Sequence, residues 1–421
     1  MKRRVVITGL GVVAPNARNR EEFHSALLEG RSGIRFIPEL ADLGFGCQVA
    51  AVPVDLGAAL EKIPHSLRLS TNESMTYAAI SAMEAFEDAG LKPAENEPYD
   101  DIGAIIGTGI GGIDTFAERV YPSVAEKRIK RLGSTVVEQI MMSGSAARIA
   151  GILGLGNQVF SNSSACNTGT EALIMGCQRI ELGLAQVMLV GGTEGSGPHT
   201  WAGFDAMKVL SRKFNDNPEG ASRPMSASAA GFVPAAGAGV LVLENLEHAE
   251  KRGARIYAEL IGSAINCGGM RAGGTMTMPS PAGVQKCIKQ AILAAELDPQ
   301  EIDYINGHLT ATIADPLELI NWSKALGREP GDFPWINSTK SLIGHSLGAA
   351  GAIETVATVL QMHHGFIHAS RNCEDFHPQI ADFARHAPQS TLKVPISVAA
   401  KASFGFGDVN SCVIFRKWRP L

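Results

Sequence analysis

Residues 158–190 read QVFSNSSACNTGTEALIMGCQRIELGLAQVMLV, and this stretch decides the fold. It begins as an apolar strand over residues 158–162, turns through small polar residues, and continues as a helix over residues 169–184. A second apolar strand follows at residues 186–190. Strands that alternate with helices in this way form parallel sheets whose faces the helices cover. The stretch therefore predicts a layered α/β fold.

The same alternation extends along the whole chain in two series. The strands predicted outside the opening stretch are 4–8, 102–107 and 237–244 in the first series and 256–262, 302–307 and 395–400 in the second. The helices are 20–28 and 70–89 in the first series and 282–294 and 347–363 in the second. Because the elements follow a similar order, we predict two α/β halves, residues 1–253 and 254–421, that meet around one site.

The composition excludes several classes of protein. Of the 421 residues, 45% are hydrophobic and 19% are charged, which is typical of a chain with a large buried interior. The 37 Lys and Arg residues against 42 Asp and Glu residues give a net charge of −5. No segment concentrates positive charge as a nucleic-acid-binding surface does. The sequence contains no run of about 20 apolar residues, so we expect no membrane span.

The seven cysteines indicate a reducing compartment. They lie far apart in the sequence, without a C-x-x-C motif or a Cys/His spacing that would bind zinc. We therefore expect reduced thiols, a cytoplasmic location and no metal site.

Two glycine-rich segments resemble dinucleotide-binding turns, GLGVVA at residues 9–14 and GTGIGG at residues 107–112. The first runs into Pro15 before a helix can begin, and the second is followed by no strand with a ribose-binding acid. We expect these glycines to allow tight turns and close backbone packing instead.

Cys166 is the first candidate for a chemical role. It lies in the small polar turn SSACNTGT, residues 163–170, at the start of the predicted helix. Unpaired N–H groups at a helix N-terminus stabilise a thiolate and lower the pKa of the cysteine. The pattern favours a nucleophile over a buried structural cysteine, which is the interpretation we keep for the other six cysteines.

Two histidines lie in turns that follow predicted strands. His308 lies in NGHLTAT, residues 306–312, and His345 lies in the segment KSLIGHSLG, residues 340–348. Either histidine alone would more often be a core residue, but each is surrounded by glycine and hydroxyl side chains. The loop SFGFG at residues 403–407 has backbone N–H groups that could bind an oxyanion, although many tight turns share this pattern.

A cysteine, a histidine, a Lys-x4-His pair and a Phe-Gly-Phe-Gly turn, in this order, resemble the β-ketoacyl-[acyl carrier protein] synthases, the elongating condensing enzymes of type II fatty-acid synthesis. The resemblance covers nearly the whole chain and includes residues 5–13, 107–112, 215–218, 221–224 and 237–239. It implies a thiolase-like fold in which two similar α/β halves form five layers, αβαβα. It also implies an acyl carrier protein as partner and, usually, a homodimer. No cofactor is expected, because the phosphopantetheine arm arrives on the carrier.

The resemblance implies a role for each site residue. Cys166 accepts the acyl chain, and His308 and His345 handle decarboxylation of the malonyl extender, with the division of labour between the histidines left open. The other implied residues are the buried ion pair Lys340 and Glu354, Thr310 and Thr312 beside the pantetheine arm, Phe404 as the gate whose N–H joins that of Cys166 in an oxyanion hole, Phe406 at the substrate, and Ile110 at the mouth of the acyl pocket.

Two surfaces are expected to serve assembly. An acidic carrier protein would dock on basic residues near the tunnel mouth, and the candidates are Lys127, Arg128, Lys130, Arg131, Lys208 and Arg212. The apolar segment that contains Val136, Val137, Ile140, Met141 and Met142 is expected at the dimer interface, where it lines the acyl tunnel of the other subunit.

The chain departs from the family pattern close to the expected site. It has Gly307, Leu309 and Ala402 where the family usually has Ala, Gly and Asn, and residues 408–409 are Asp-Val in place of Gly-Thr. None of these departures removes a catalytic group, but they alter the pantetheine tunnel and its gate. The acyl chain length therefore stays open, as does the choice between fatty-acid synthesis and a specialised polyene or polyketide pathway.

Three other functions compete with elongation. A degradative thiolase would use a second cysteine and coenzyme A, and an initiating condensing enzyme would pair one histidine with asparagine. His345 argues against both. A non-catalytic chain-length partner in a heterodimer is the remaining alternative, and Cys166 argues against it because such partners usually lack the nucleophile.

Overall fold

The computed structural model describes residues 2–419. Its strands are β1 Val5–Val13, β2 Ile34–Phe36, β3 Val49–Ala51, β4 Ile102–Gly107, β5 Val159–Phe160, β6 Val187–Glu194, β7 Gly237–Asn245, β8 Ala258–Cys267, β9 Tyr304–Asn306, β10 Trp335–Asn337, β11 Phe366–Ile367, β12 Leu392–Lys393, β13 Val398–Gly405 and β14 Val409–Lys417. Its α-helices are α1 Arg20–Glu29, α2 Pro38–Asp42, α3 Gly57–Glu61, α4 His65–Arg68, α5 Glu73–Asp88, α6 Ile113–Thr115, α7 Tyr121–Ala125, α8 Val136–Ile140, α9 Gly144–Leu153, α10 Thr168–Glu181, α11 Pro198–Ala206, α12 Leu246–Lys251, α13 Pro281–Ala294, α14 Asp315–Leu326, α15 Lys340–Ile343 and α16 Ala350–His364. Within residues 2–419, every helix is too short or too polar to cross a membrane.

Ten strands form one mixed sheet in the order β10-β9-β13-β14-β8-β1-β7-β6-β4-β5. At its middle, β1 and β8 pair over only three residues, from Val5 opposite Leu260 to Ile7 opposite Ala258. This short contact divides the sheet into two groups of five strands with the same strand directions. In each group the outer three strands are parallel and the inner pairings are antiparallel.

The two groups repeat the same order of elements. Strands β1, β4, β5, β6 and β7 correspond to β8, β9, β10, β13 and β14, while helices α5 and α10 correspond to α13 and α16. The predicted correspondence of strand 102–107 with strand 302–307 is therefore confirmed. The boundary predicted at residue 253 lies in the turn between α12 and β8. The ends of the predicted halves, Met1 and residues 420–421, lie outside the described residues.

Three apolar cores hold five layers together, and the central core contacts both groups of strands. Helices α10 and α16 lie between the two groups of strands, where they pack on Leu241 of β7 and Val413 of β14. On the outer faces, α5 and α9 cover Val242 of β7, whereas α13 and α14 cover Ile414 of β14. Because alternate residues of a strand point to opposite faces, both faces of the sheet are buried. The chain thus has the predicted thiolase-like αβαβα architecture.

Strand β1 is longer than predicted, because β7 pairs with it from Val5 to Val13. Its two glycines lie under α5. A Cβ atom on Gly9 would lie 2.1 Å from the carbonyl oxygen of Ala85, and one on Gly11 would lie 1.9 Å from that of Ser81. The expectation that this glycine-rich segment serves close packing is therefore confirmed.

Candidate active site

Cys166 lies in a tight turn between β5 and α10. Ala165 has a left-handed backbone with φ of 49°. The Thr168 hydroxyl donates to the carbonyl of Ala165 at 2.7 Å and accepts the N–H of Ser164 at 2.8 Å. Helix α10 begins at Thr168, two residues after the cysteine. The turn thus holds Cys166 in one place, and the residue is 8% exposed.

Burial raises the pKa of Cys166 to about 12, and the positive charge of Lys340 acts in the opposite direction. The prediction of a lowered pKa for Cys166 is therefore wrong. The cysteine lies deeper than its position in the sequence indicates, and removal from water disfavours a thiolate more than the helix terminus favours it. Cys166 consequently starts as a thiol that must transfer its proton as it reacts.

Two backbone amides stabilise negative charge at Cys166, its own N–H and that of Phe406. The resemblance assigns the second amide to Phe404, but Phe404 is a residue of β13 that pairs with Asn410 of β14. Its ring lies against His308, with ring centroids 6.2 Å apart. The amide of Phe406 is therefore a second candidate for the oxyanion hole, beside the amide of Phe404 that the resemblance implies.

The structure brings both histidines to Cys166. The sulfur and one ring nitrogen each of His308 and His345 lie within 4.8 Å of one another. The two imidazole rings are almost perpendicular, at 85°, with centroids 5.3 Å apart. In the described residues neither Nδ1 atom has a hydrogen-bond partner. A sulfur and two imidazoles are also a donor set that zinc can use, so the expectation that no metal binds stays a prediction.

The surroundings of both histidines favour the neutral imidazole. Burial lowers the pKa of His308 and of His345 well below the ordinary value, and the positive charge of Lys340 lowers each further. A neutral imidazole can donate one N–H to an oxygen that becomes negative during a reaction. The arrangement therefore offers two uncharged donors beside a thiol.

The His308 peptide is held from both sides. Glu318 of α14 accepts the N–H of His308 and that of Leu309, both at 2.7 Å. The ammonium group of Lys340 donates to the carbonyl of His308 at 2.6 Å. Asp315 accepts the N–H of Thr310 at 2.9 Å. Burial raises the pKa of Glu318 to about 7 and that of Asp315 to about 6.

Neither Glu318 nor Asp315 was predicted. The available signal was their spacing, since Asp315 and Glu318 lie seven and ten residues after His308, within the first turn of a helix that follows the strand.

Lys340 pairs directly with Glu354, as the resemblance implies, and each side chain is 1% exposed. The other carboxylate oxygen of Glu354 lies 2.8 Å from the ammonium of Lys401, which is 0% exposed. Lys401 was not predicted, because a lysine in a strand of a sheet normally indicates an exposed position.

A cavity of about 190 Å³ is lined by Cys166, His308 and His345. Its walls are mostly apolar and include Phe204, Phe232, Phe404 and Phe406, with Thr310 and Thr312 as hydroxyl-bearing members. The two threonine hydroxyls lie 3.0 Å apart. Such a cavity suits an acyl chain or a pantetheine arm.

Ile110 does not line this cavity. It packs against the same apolar cluster as Phe204 and Val209, two residues that do line the cavity, and its N–H donates to Glu194 at 3.1 Å. Glu194 is a buried carboxylate at the end of β6 that also accepts the N–H groups of Gly109 and Gly348. This carboxylate explains Gly109, because a Cβ atom there would lie 2.7 Å from a carboxylate oxygen of Glu194.

Comparison with known proteins agrees with the fold. The family model "Beta-ketoacyl synthase, N-terminal domain" matches residues 2–249, and "Beta-ketoacyl synthase, C-terminal domain" matches residues 257–374. The 3-oxoacyl-[acyl-carrier-protein] synthase 1 of Escherichia coli (strain K12) is 36% identical over 420 residues, which cover 99% of each chain.

Two solved structures are similar over nearly all of the chain. A β-ketoacyl synthase from Burkholderia phymatum STM815 has a TM-score of 0.91 and 29% identity, with 100% of each chain covered. A ketosynthase in complex with its type II polyketide acyl-carrier protein, bound to the hexaketide, has a TM-score of 0.88 and 30% identity, with 99% of this chain and 100% of that chain covered. The chain therefore belongs to the β-ketoacyl synthase family, a family of condensing acyltransferases.

Proposed function

We propose that this chain is a β-ketoacyl-[acyl carrier protein] synthase that joins an acyl group on Cys166 to a malonyl thioester with loss of CO₂. The observation that carries the proposal is a thiol and two neutral imidazoles within 4.8 Å of one another in an apolar cavity. Incubation with a carrier protein that bears an acyl thioester and with malonyl carrier protein should yield a 3-oxoacyl carrier protein and CO₂. Absence of both products would refute the proposal.

In the first half-reaction, the sulfur of Cys166 attacks the carbonyl carbon of the acyl thioester. A new C–S bond forms, and the bond to the pantetheine sulfur breaks. The amides of Cys166 and Phe406 stabilise the oxyanion of the tetrahedral intermediate. The proton of the Cys166 thiol passes to the departing pantetheine thiolate, so charge is balanced.

In the second half-reaction, the bond between the malonyl α-carbon and its carboxylate breaks and CO₂ leaves. The electron pair moves into an enolate, whose oxygen accepts N–H hydrogen bonds from His308 and His345. The α-carbon then attacks the carbonyl of the acyl-Cys166 thioester, and the C–S bond to Cys166 breaks. The products are a 3-oxoacyl thioester on the carrier and a Cys166 thiolate that takes up a proton.

A non-catalytic chain-length partner is disfavoured, because this chain has a nucleophile and both histidines at one cavity.

Thr310 and Thr312 are proposed to bind the amides of the pantetheine arm. The carrier supplies the phosphopantetheine, and no other cofactor is needed. The cytoplasmic location expected from the cysteines stays a prediction.

The loop before α13 is proposed to influence the choice of acyl substrate. Buried Asp408, one of the departures from the family pattern, accepts the N–H of Ser280 at 2.8 Å and that of Met270 at 3.0 Å. Thr277 and Met278 of the same loop line the cavity. Asp408 therefore fixes one wall of the cavity, which supports a specialised pathway as the second candidate.

Carrier docking is proposed on the basic side chains nominated from the sequence. Lys127, Lys130, Arg131 and Lys208 are exposed, and Lys208 precedes Val209 of the cavity wall. Arg128 and Arg212 are already engaged by Glu126 and Asp205. Lys127, Lys130, Arg131 and Lys208 are therefore the better candidates for binding the carrier protein.

We expect Lys208→Glu to raise the apparent KM for the carrier protein roughly tenfold at low salt, because surface charge acts on the encounter rate. The effect should fade as salt is added, and turnover of a small pantetheine thioester should stay unchanged. Lys251→Glu, an exposed lysine of α12, is the matched control. Equal losses with carrier and small thioester would show that Lys208 serves the fold.

A homodimer is proposed from an exposed apolar surface. Val137 is 56% exposed, Met141 is 41% exposed and Met142 is 37% exposed. Neighbouring exposed apolar side chains mark interaction surfaces. This segment is the one expected at the dimer interface, where it would complete the acyl pocket of the other subunit.

Ile110→Phe should shorten the acyl chains that Cys166 accepts. Ile110 packs against the same apolar cluster as the cavity-wall residues Phe204 and Val209, and a larger ring would push this cluster towards the acyl path. Overpacking costs about 1 to 3 kcal/mol, so long chains should be rejected while short chains are spared. Acylation of Cys166 would be measured by mass across a series of chain lengths. An unchanged profile would show that the chain runs elsewhere.

A further inference from the structure

Asp408 is a fully buried residue of the turn between β13 and β14, directly after the Phe-Gly-Phe-Gly turn. One of its carboxylate oxygens accepts the N–H of Ser280 at 2.8 Å, and the other accepts the N–H of Met270 at 3.0 Å. Its carbonyl oxygen accepts the N–H of Gly268 at 2.9 Å. These three donors belong to the loop between β8 and α13, residues 268–280. A carboxylate away from water is stabilised by such donors, so Asp408 and the 268–280 loop hold each other.

The backbone of the 268–280 loop passes very close to this carboxylate. A Cβ atom on Gly268 would lie 2.2 Å from the Oδ2 atom of Asp408, and one on Gly274 would lie 2.4 Å from the same atom. A side chain at either position would collide with the carboxylate, so only glycine fits there. The two glycines and the aspartate are therefore matched to one another.

The 268–280 loop has little apolar burial of its own. Residues 269–273 and 275–277 are exposed. Met270 and Ala272 have left-handed φ values of 53° and 50°, a conformation that is unfavourable for residues with a side chain. An exposed segment of this kind depends on its hydrogen bonds to keep one conformation. The carboxylate of Asp408 supplies two of them.

The loop and the Phe-Gly-Phe-Gly turn line the same cavity. Residues 277–279 of the loop and residues 404–406 of the turn lie in its wall, together with Cys166. The N–H of Gly407 donates to the carbonyl of Met276 at 2.8 Å, so the two segments are also joined directly. An acyl group that reaches Cys166 must therefore fit beside both segments.

We propose that Asp408 is a positioning residue for acyl specificity, whose carboxylate fixes the 268–280 loop on the Phe-Gly-Phe-Gly turn and thereby narrows the range of acyl groups that reach Cys166. The inference rests on the proposed function and identifies the group through which the loop acts. A wall that is held in place penalises an acyl group larger than the available space, whereas a wall that can move repacks around it. The family usually has glycine at this position, which cannot hold the loop in this way.

The test is the selectivity of acylation in Asp408→Gly. Asp408 has a left-handed φ of 59°, so glycine removes the carboxylate without straining the backbone. The rate at which Cys166 gains acyl mass would be measured with pantetheine thioesters of short, long and branched acyl groups. We expect the ratio between the best and the bulkiest acyl group to fall about tenfold, because a fixed pocket discriminates by about this factor per methylene group. Rates that fell equally for every acyl group would overturn the inference and leave Asp408 a structural role.

Asp408→Asn and Asp303→Asn form a matched pair. Asp303 also accepts two backbone N–H groups, those of Ser397 at 2.7 Å and Val398 at 3.0 Å, but it does so where β13 begins, whereas the cavity lies where β13 ends. Asparagine keeps one acceptor oxygen in either place. Asp408→Asn should lower the selectivity ratio less than Asp408→Gly does, and Asp303→Asn should leave it native. An equal fall in Asp303→Asn would overturn the inference, because loss of stability alone would then explain the effect.

A second measurement does not depend on catalysis. Arg271 is an exposed residue of the 268–280 loop, and trypsin cleaves after an arginine only where the backbone opens. Cleavage after Arg271 should be at least about tenfold faster in Asp408→Gly than in the native enzyme or in Asp303→Asn, since hydrogen bonds to a carboxylate are lost. Equal cleavage in all three proteins would show that Asp408 does not fix the loop. If the native enzyme gained no acyl group from any thioester, the proposed function would fail instead, so the two failures are distinguishable.

Discussion

Replacing Cys166 by alanine is expected to abolish condensation, with a loss of about 10⁴-fold or more, because the acyl-enzyme intermediate can no longer form. Among residues 2–419, Cys166 is the one cysteine that lies with both histidines in the cavity. The measurement is the mass of the protein after incubation with an acyl carrier protein substrate. Native enzyme should gain the acyl mass at Cys166, and the variant should gain nothing.

The matched control is Cys177→Ala. Cys177 is fully buried in α10, the helix that follows Cys166, and it contacts Glu181 instead of the cavity. This variant should still be acylated. Full condensation by Cys166→Ala would refute the nucleophile assignment. Cys166→Gln is a second test of the assignment. Its side-chain amide imitates an acylated sulfur, so this variant should still decarboxylate malonyl carrier protein.

The fold could be predicted because its signals are local. Apolar strands such as residues 102–107 and small-residue helices such as residues 169–184 can each be predicted from a short segment of sequence. Their repeated order indicated two halves. Their exact ends were less predictable. Strand β1 extends to Val13 because β7 pairs along its full length, and the sequence of β1 alone does not show its partner.

The site could be predicted in part. Cys166, His308 and His345 lie in turns after strands, and turns of this kind meet at one edge of a sheet. Glu318 and Lys401 were missed because their roles depend on contacts across layers, with the His308 peptide and with Glu354. The pKa of Cys166 was predicted with the wrong sign for the same reason, because its burial depends on loops distant in sequence.

The sequence pattern alone could not decide which phenylalanine supplies the second amide of the oxyanion hole. Residues 404 and 406 are both phenylalanines separated by glycine, so the sequence pattern fits either choice. In the structure Phe404 belongs to the β13 ladder and Phe406 follows the end of the strand, so the amide of Phe406 is the one proposed for the oxyanion hole.

His308→Ala and His345→Ala should separate the two half-reactions. The enolate oxygen would lose one of two N–H donors, and loss of such a donor typically slows the step by about 10² to 10³-fold. Acylation of Cys166 should persist in part, because the amides of Cys166 and Phe406 remain in place. CO₂ release and acyl mass would be measured on the same preparations.

The control for these variants is His364→Ala. His364 lies at the C-terminal end of α16 and stacks on His24, with ring centroids 3.9 Å apart, outside the cavity. It should decarboxylate and condense at the native rate. If His308→Ala and His345→Ala also condensed at that rate, the two imidazoles would not be the enolate donors. If they lost acylation and CO₂ release equally, the histidines would serve the thiol and not the malonyl group, because only the second half-reaction forms an enolate.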